Sequence, residues 1–412
     1  MTVGLHPNPS DEQQLLVDST VRFADDRMPL TRVRELADAD SPPDDAFFAA
    51  AADLGWYGLL ADDAAGVSGN GLVDLALIAA ERGARLQPGP FVGTNVAVLA
   101  LARTGALPDV AAELVAGRSR AAWLWPGDGA VSGRVGADGG VVLSGRALAP
   151  DADACDVLLV SFADADGAVG HAAVPADAAG VSVTRIDGLD LTRRACAVEL
   201  ADVTVSALPA DPELTEQLIA AAAVLTAAET VGAVDRDFAL AVEYARDRVA
   251  FGRPIGSFQG IKHQLADAAL LVEMCKATTL AAADALGAPR LPTANGPVVE
   301  PVACTEPRRS ETTTHLTDVS GPVVVPVETT THLTDVPGAG LEGIARAHVA
   351  KAFVSERAVE LAQTCFQVFG GIGYTWEHDH HLFMRRIAAD ATAFGDAVWH
   401  RARLAELIEV PA

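Results

Sequence analysis

An arginine, two phenylalanines and a glutamine lie within one twelve-residue segment whose chemistry suits a nucleotide. The segment begins at Arg248, continues through Phe251 and Phe258, and ends at Gln259. A guanidinium near the end of a helix can make a two-pronged contact with a pyrophosphate. Aromatic rings can cover a flat ligand or pack into the core. The residues alone therefore leave two interpretations: a nucleotide-phosphate site, or a turn between packed helices with a capping arginine.

A second candidate segment combines a glutamine with a pair of glycines. Gln367 precedes Gly370 and Gly371 at the end of a helical pattern. Glycine lets a cofactor approach the backbone closely, but it also commonly ends a helix. Both interpretations stay open at this point.

Three regions with different patterns of apolar residues must position these segments. Residues 1–118 are expected to form a helical domain, residues 119–211 a β-domain, and residues 212–412 a helical bundle. The first region carries apolar positions three and four residues apart, which predicts helices. The second has short apolar runs bounded by Gly, Asp and Pro, which is typical of a small β-barrel or sandwich. Helices, then strands, then long helices indicate a segregated α+β multidomain fold.

The helices and strands that these patterns of apolar residues predict can be placed on the sequence. The predicted helices of the first region are 45–54, 72–85 and 110–116, and the predicted strands of the second are 140–143, 157–162 and 181–184. Two apolar stripes with helical period run through the third region. They comprise Val231, Val234, Phe238, Val242, Ala245 and Val249, and Ala347, Ala350, Val354, Ala358, Leu361, Cys365 and Val368.

Composition and charge exclude several classes of function. The formal net charge of −25 excludes a nucleic-acid partner, because a duplex would be repelled at long range. The five scattered cysteines predict neither a zinc site nor a disulfide framework. The first ten residues lack the pattern of a signal peptide, and no stretch approaches the ~18 apolar residues of a membrane span. We therefore expect a cytoplasmic protein without a membrane span.

One stretch does not fit a compact helical bundle. Residues 287–340 are rich in Pro, Thr and Val, and a nine-residue sequence beginning at Glu311 recurs from Glu328. A connection of this length inside a domain is uncommon, so we interpret it as an insertion. The repeated His315 and His332 suggest a metal site, but the absence of thiol or further acidic ligands beside them favours disorder.

The two candidate segments together resemble a known family. Residues 248–259 and 367–378 resemble the C-terminal domain of acyl-CoA dehydrogenases, most closely the actinobacterial branch that acts on steroid side chains and other bulky acyl-CoAs. The N-terminal sequence Leu54-Gly55-Trp56 also suits this family. The resemblance covers the whole chain except the insertion.

The resemblance implies a fold, a cofactor and a reaction. The fold would be a helical N-terminal domain, a middle β-domain and a C-terminal four-helix bundle. The cofactor would be FAD. The ADP half of an FAD that is bound mainly by a neighbouring subunit would be held by the residues Arg248, Phe251, Phe258, Gln259, Gln367, Gly370 and Gly371. The reaction would be α,β-desaturation of an acyl-CoA substrate, with electrons passing to an electron-transferring flavoprotein. The assembly would be a homo- or heterotetramer.

The sequence departs from the family at the catalytic base. The position that usually carries the glutamate is Phe394, and the position used by a minority of members is about Ala222. Neither side chain can move a proton. Asp396, two residues beyond Phe394, is the nearest acid, and it could act as the base or simply cap a helix.

The β-domain departs from the family as well. The loop that would contact the flavin corresponds to residues 124–127 (Leu-Trp-Pro-Gly), and the strand that would cover the flavin ring corresponds to residues 149–151 (Ala-Pro-Asp). A proline cannot donate a backbone hydrogen bond. The half that holds a neighbour's ADP is therefore kept, and the half that holds the chain's own isoalloxazine is altered.

Three functions follow from these departures. The chain could be an FAD-dependent acyl-CoA dehydrogenase that uses Asp396 or another acid. It could be the non-catalytic subunit that completes the FAD site of a catalytic partner. It could also be a homo-oligomeric relative that has lost flavin and binds acyl-CoA.

Overall fold

Three successive domains make up the chain, helical at both ends and built on a sheet in the middle. The computed structural model describes residues 2–64, 70–127, 131–136, 139–287 and 339–408. The helices are α1 Asp11–Arg27, α2 Leu30–Asp38, α3 Asp45–Asp53, α4 Leu59–Ala64, α5 Gly71–Gly83, α6 Phe91–Thr104, α7 Pro108–Val115, α8 Leu214–Asp247, α9 Gln259–Gly287, α10 Ala339–Phe369, α11 His380–Asp390 and α12 Ala397–Ile408. The strands are β1 Ala121–Leu124, β2 Val131–Val135, β3 Gly140–Pro150, β4 Val157–Ala163, β5 Val169–Pro175, β6 Val181–Arg185, β7 Ala195–Ser206, β8 Val249–Ala250 and β9 Arg253–Pro254.

The middle domain is a seven-stranded mixed sheet. The strand order is β1-β4-β2-β3-β7-β6, and β5 pairs with the other side of β4. β1 runs parallel to β4, with Trp123 opposite Leu159, whereas β3 and β7 form a long antiparallel pair. Apolar side chains from most of the strands form a core of their own inside this domain. The predicted α+β fold is confirmed.

Long helices dominate the C-terminal domain. The second predicted stripe is buried along α10 throughout its length. The first stripe follows α8 as far as Ala245, but Val249 lies beyond the end of that helix and is exposed. Val249 already belongs to β8, because α8 ends at Asp247.

α8 is the central helix of the molecule. By length and composition alone it could cross a membrane, but 94% of its most apolar window is buried inside the fold. The expectation that no stretch reaches such a length was therefore wrong, and the reason is that α8 is a core helix packed on nearly all sides. At its crossing with α5, a Cβ added to Gly232 would lie 1.8 Å from the carbonyl oxygen of Ala80. Only glycine permits this close approach.

The proposed insertion lies outside the described residues, apart from its two ends. α9 ends at Gly287 and α10 begins at Ala339. His315 and His332 are outside the described residues as well. Within the part of the chain that the structure describes, no cluster of three or more potential metal ligands occurs.

Candidate functional site

The segment from Arg248 to Gln259 forms an exposed turn at the end of α8. Arg248 is the C-cap residue of α8. Its side chain is exposed and makes no ion pair within the described ranges. β8 and β9 then form a two-stranded hairpin, with Ala250 opposite Arg253. At its tip Phe251 has φ +52° and Gly252 has φ +77°. The Phe251 side chain is 95% exposed.

An exposed phenylalanine with left-handed backbone is costly unless something covers it. Positive φ is a strained conformation for a bulky residue, and a fully exposed ring contributes nothing to the core. The Phe258 ring lies 6.3 Å from the Phe251 ring in an edge-to-face arrangement, and the Arg253 guanidinium lies 4.1 Å from the Phe258 ring. The hairpin thus presents aromatic surface and positive charge outward.

The glycine pair forms a second exposed turn next to the first. α10 ends at Phe369, and Gly370–Tyr374 continue as a short 3₁₀ helix. Gln367, Gly370 and Gly371 are exposed, and a Cβ on either glycine would meet open space. The two turns share one apolar cluster, to which Ala241 and Ala245 of α8, Val368 and Phe369 of α10, and Ile255 of the first turn contribute. The structure therefore brings the two sequence segments to one end of the bundle.

The usual position of the base is buried in aromatic packing. Phe394 is 6% exposed, has φ +54°, and stacks on Trp123 with ring centroids 5.6 Å apart and planes 19° apart. His400 Nε2 donates to the Phe394 carbonyl at 3.0 Å, and Lys351 Nζ donates to the Gly395 carbonyl at 3.1 Å. Burial lowers the pKa of Lys351 to about 8. Buried donors thus hold this strained turn in place.

The indole of Trp123 is fixed from the other side by a chain of hydrogen bonds. Trp123 Nε1 donates to Ser161 Oγ at 2.9 Å, Ser161 Oγ lies 2.9 Å from His171 Nδ1, and His171 Nε2 lies 2.9 Å from Thr215 Oγ1. Burial lowers the pKa of His171 to about 4, so the ring is neutral near pH 7. A neutral imidazole accepts at one nitrogen and donates at the other, which suits its place between two hydroxyl groups in this series of hydrogen bonds.

The second position of the base is also buried and apolar. Ala222 lies in α8 between Ala221 and Ala223, and all three are in the core. Asp396 lies at the surface, and its Oδ1 accepts from the backbone N–H of Trp399 at 2.7 Å. This is the geometry of a helix N-cap. It favours the capping role of Asp396 over the catalytic one.

The loop that would face the flavin is closed by tryptophans. Trp125 is buried, packs edge-to-face against Trp399 at 5.2 Å, and would leave only 2.2 Å for a Cβ on Gly127. At the other predicted contact, Pro150 ends β3 opposite Ala195. Asp151 follows with φ +58°, and its buried carboxylate accepts from the Arg194 backbone N–H at 3.0 Å.

A buried ion network, which the sequence analysis missed, joins the three domains. Glu229 of α8 contacts Arg193 and also Arg82 of α5, whose Nε lies 3.3 Å from Glu229 Oε1. Burial alone would raise the pKa of Glu229, but Arg193 and Arg82 outweigh it and hold the pKa below its usual value. A charged residue among the apolar residues of α8 was the available signal, since such groups are almost never buried without a partner.

A second part of the network reaches α11. Arg386 pairs with Asp190, and its Nη2 donates to Thr192 Oγ1 at 2.6 Å. Asp390 lies one turn further along α11, and burial raises its pKa to about 7 against the opposing effect of Arg386 and Arg193. Two helical domains and the β-domain thus meet through charged groups.

Comparison with known proteins decides the family. A family model described as the acyl-CoA dehydrogenase N-terminal domain matches residues 10–106. A second, described as the acyl-CoA dehydrogenase C-terminal domain, matches residues 213–305 and 330–408. This chain belongs to the acyl-CoA dehydrogenase family. The resemblance inferred from residues 248–259 and 367–378 is confirmed.

Curated acyl-CoA dehydrogenases from mycobacteria are similar along most of the chain. The chain is 27% identical over 386 residues to acyl-CoA dehydrogenase IpdE2 of Mycobacterium tuberculosis, covering 93% of each protein. It is 30% identical over 356 residues to acyl-CoA dehydrogenase FadE34 of the same organism, which covers 82% of this chain and 38% of FadE34.

Solved acyl-CoA dehydrogenases share the fold. A variant of the Tcur3481–Tcur3483 steroid ACAD has a TM-score of 0.75 at 24% identity, covering 97% of this chain and 98% of that one. The ChsE4–ChsE5 complex from Mycobacterium tuberculosis has a TM-score of 0.74 at 22% identity, covering 98% and 99%. A glutaryl-CoA dehydrogenase from Mycobacterium smegmatis, in complex with FADH2, has a TM-score of 0.71 at 16% identity, covering 97% and 95%. FAD is the cofactor of this family.

The two exposed turns of this acyl-CoA dehydrogenase chain have features that suit the ADP half of FAD. The exposed Arg248, the uncovered Phe251 ring and the open space around Gly370 and Gly371 suit an ADP moiety approaching from outside. In the loop that corresponds to the family's flavin contact, the indole of Trp125 is buried and packs against Trp399.

Proposed function

We propose that this chain is the non-catalytic subunit of a heteromeric, FAD-dependent acyl-CoA dehydrogenase. Its exposed turns complete the FAD site of a catalytic partner, and the partner supplies the base and the isoalloxazine pocket. The observation that carries the proposal is the buried stack of Phe394 on Trp123 at the position where the family keeps its base.

The residues at the end of the bundle have separate tasks in this proposal. Arg248 would contact the pyrophosphate with its guanidinium, the rings of Phe251 and Phe258 would offer apolar surface to the adenine, and Gln259 and Gln367 would offer amide groups. Gly370 and Gly371 let the backbone come close to the cofactor. When bound, FAD supplies the hydride acceptor for α,β-desaturation of the acyl-CoA.

The buried region beside α8 and α11 is charged, which makes it unsuited to an acyl group. Glu229 pairs with Arg82 and Arg193, and Arg386 pairs with Asp190, so an alkyl chain placed among them would leave some of these charges unpaired. The relatives named as pairs of different chains, Tcur3481–Tcur3483 and ChsE4–ChsE5, support a heteromer. Steroid or other bulky acyl-CoAs are the substrates we expect for the assembly, with electrons passing to an electron-transferring flavoprotein in the cytoplasm.

The alternative, that this chain is itself the dehydrogenase, makes a different prediction for the purified protein. We would express the chain alone and together with a co-encoded acyl-CoA dehydrogenase, then measure FAD per chain after gel filtration. We expect no FAD on the lone chain and one FAD per pair of unlike chains in a heterotetramer. One tightly held FAD per chain in the lone protein would contradict the proposal.

A further inference from the structure

A buried aspartate–histidine pair lies beneath the glycine turn. Asp237 belongs to α8 and His380 is the first residue of α11, and both side chains are fully buried. His380 Nδ1 lies 2.8 Å and 2.9 Å from the two carboxylate oxygens of Asp237. Because a carboxylate only accepts, Nδ1 carries the proton and donates to it. His380 Nε2 has no hydrogen-bond partner among the described residues.

The imidazole of His380 packs against the residues that support the turn Gly370–Tyr374. Its ring lies 5.7 Å from the Phe366 ring and 5.1 Å from the Phe369 ring. A Cβ on Gly373 would lie 3.4 Å from His380 Cδ2 and 3.2 Å from both phenylalanines. Tyr374 then packs its ring edge-to-face on Phe366 at 4.5 Å. A shift of the imidazole would therefore displace the turn at Gly373.

Asp237 connects His380 to the other exposed turn, which begins at Arg248 at the end of α8. It lies about three helical turns before Arg248 on the same helix. Between them, Ala241 and Ala245 of α8 pack against Cys365, Val368 and Phe369 of α10. The pair thus joins the helix that ends in Arg248 to the turn that carries Gly370 and Gly371.

Stability alone is a poor explanation for such a pair. Replacing a buried ion pair by apolar side chains of similar volume is often neutral or stabilising, whereas fixing one arrangement of neighbouring elements is the best-attested use of buried polar groups. The arrangement fixed here is that of the two exposed turns.

We propose that His380 is a positioning residue for the cofactor. Held by Asp237, it sets the height and orientation of the Gly370–Tyr374 turn relative to Arg248, so that backbone and guanidinium reach the ADP moiety together. This inference rests on the proposed function, because it takes the cofactor to lie on that surface.

Two substitutions at His380 separate the hydrogen bond from the ring packing. His380→Phe keeps an aromatic ring against Phe366 and Phe369 but removes the donor to Asp237. His380→Asn loses the ring but keeps an N–H donor close to the position of Nδ1. In the complex with the catalytic partner, we expect His380→Phe to raise the Kd for FAD at least tenfold and His380→Asn to change it less than threefold. Amide hydrogen exchange at residues 370–374 of the lone chain should be faster in His380→Phe only.

A further variant covers the case in which His380→Phe does not fold with Asp237 left unpaired. The double variant Asp237→Leu/His380→Phe removes both polar partners, which is close to neutral for folding. It should melt near the wild-type temperature, exchange the amides of residues 370–374 faster, and bind FAD at least tenfold more weakly. Unchanged FAD affinity and unchanged exchange in this variant would overturn the inference.

The Arg248→Ala variant distinguishes this inference from the proposed function. If Arg248→Ala binds FAD as the wild type does, the proposed cofactor surface is wrong. If Arg248→Ala loses FAD while both His380→Phe and the double variant keep wild-type affinity, the surface stands and the positioning role of His380 is wrong.

Discussion

At the scale of single residues, the proposed function assigns the most direct contact with the cofactor to Arg248. Its guanidinium is exposed at the end of α8 and is not engaged by a carboxylate within the described ranges, so it is available to an incoming pyrophosphate. Three arginines nearby in sequence, Arg246, Arg253 and Arg236, do not occupy the capping position.

Substitution of Arg248 by alanine should release the cofactor from the assembled protein. A charge-assisted contact of this kind contributes ~1.5–3 kcal/mol, which corresponds to a loss of roughly ten- to a hundredfold in affinity. The measurement is the FAD content of the heteromer after gel filtration, with Arg246→Ala as the neighbouring control. Stoichiometric FAD in Arg248→Ala would show that the contact is elsewhere.

Asp390 is the residue whose ionisation should make stability depend on pH. Burial raises its pKa to about 7 from an ordinary value near 3.8. Between these two values the folded protein holds a proton that the unfolded chain has released. This group therefore lowers the stability of the fold as pH rises through that window.

The variant Asp390→Asn should lose this dependence. Asparagine cannot ionise, so its free energy of unfolding should fall less than that of the wild type between pH 4 and pH 7. The difference between the two proteins should reach on the order of 2–4 kcal/mol at pH 8. Urea denaturation at a series of pH values measures it, with Asp26→Asn on the exposed face of α1 as the control. Parallel curves for Asp390→Asn and wild type would exclude Asp390 as the titrating group.

At the scale of elements, the crossing of α5 and α8 decides whether the ion network can form. A Cβ on Gly83 would lie 1.9 Å from the carbonyl oxygen of Glu229, and a Cβ on Gly232 would lie 1.8 Å from that of Ala80. The two helices approach backbone to backbone, and this approach carries Arg82 to Glu229. Small residues on both helices are therefore a condition for the charge pairing.

Substitution Gly232→Ala should separate these helices. The new methyl group overlaps backbone atoms that cannot rotate away, so we expect a loss of ~1–3 kcal/mol or more in the free energy of unfolding. The matched control is Gly260→Ala near the start of α9, where a Cβ meets nothing within 4 Å. There alanine should be neutral or stabilising by up to ~1 kcal/mol. Equal effects of both substitutions would contradict the packing argument.

Periodicity and turn chemistry predicted several of the elements, since they are local properties. The sequence pattern placed α3, α5, α7 and the strands β4 and β6 within a few residues of their positions. The expectation that Arg248 lies near the end of a helix is confirmed, but the predicted apolar stripe ran on to Val249, which lies beyond α8. The spacing of apolar residues does not show at which residue a helix ends.

The connection between α9 and α10 can be tested by deletion. A Cβ on Gly343 would lie 2.7 Å from the carbonyl oxygen of Ala285, so the two helices touch near the ends that the connection joins. Removal of residues 291–337 leaves four residues between them. Because closure entropy grows only slowly with length, the change should favour the folded state by roughly 2 kcal/mol or less.

We expect the deleted protein to keep its oligomeric state and its FAD content. Gel filtration, the thermal melting curve and the flavin absorbance of the assembled complex measure these properties. A lower melting temperature or loss of the oligomer would show that the connection has a structural role and is not simply an insertion.

At the scale of the whole molecule, the site could be predicted on one side and not on the other. The residues proposed to contact ADP lie in two short segments whose order and spacing are readable in the sequence. The packing around the usual position of the base depends on contacts between domains, such as Trp123 with Phe394 and Trp125 with Trp399. Pairs so distant along the chain leave no local pattern, and the same holds for Arg82 with Glu229.

The expression of this chain alone should give a protein that does not dehydrogenate any acyl-CoA. Phe394 and Ala222 occupy both positions of the base, and a general base typically contributes ~10²–10⁴-fold in rate. Phe394 is buried and stacks on Trp123, so a new glutamate at position 394 would lie against the indole, and it alone should not restore turnover. Turnover should be measured with an artificial electron acceptor and a bulky acyl-CoA, for the lone chain and for the chain with its co-encoded partner.

Asp396 offers the direct way to contradict this expectation. Its carboxylate caps α12 through the Trp399 N–H, and asparagine is about as good an N-cap as aspartate, so Asp396→Asn should change stability little and leave the activity of the heteromer unchanged. The lone wild-type chain and the lone Asp396→Asn chain should be equally inactive. Turnover by the lone wild type that disappears in Asp396→Asn would make Asp396 the base, because an N-cap that only stabilises a helix cannot remove a proton from the substrate.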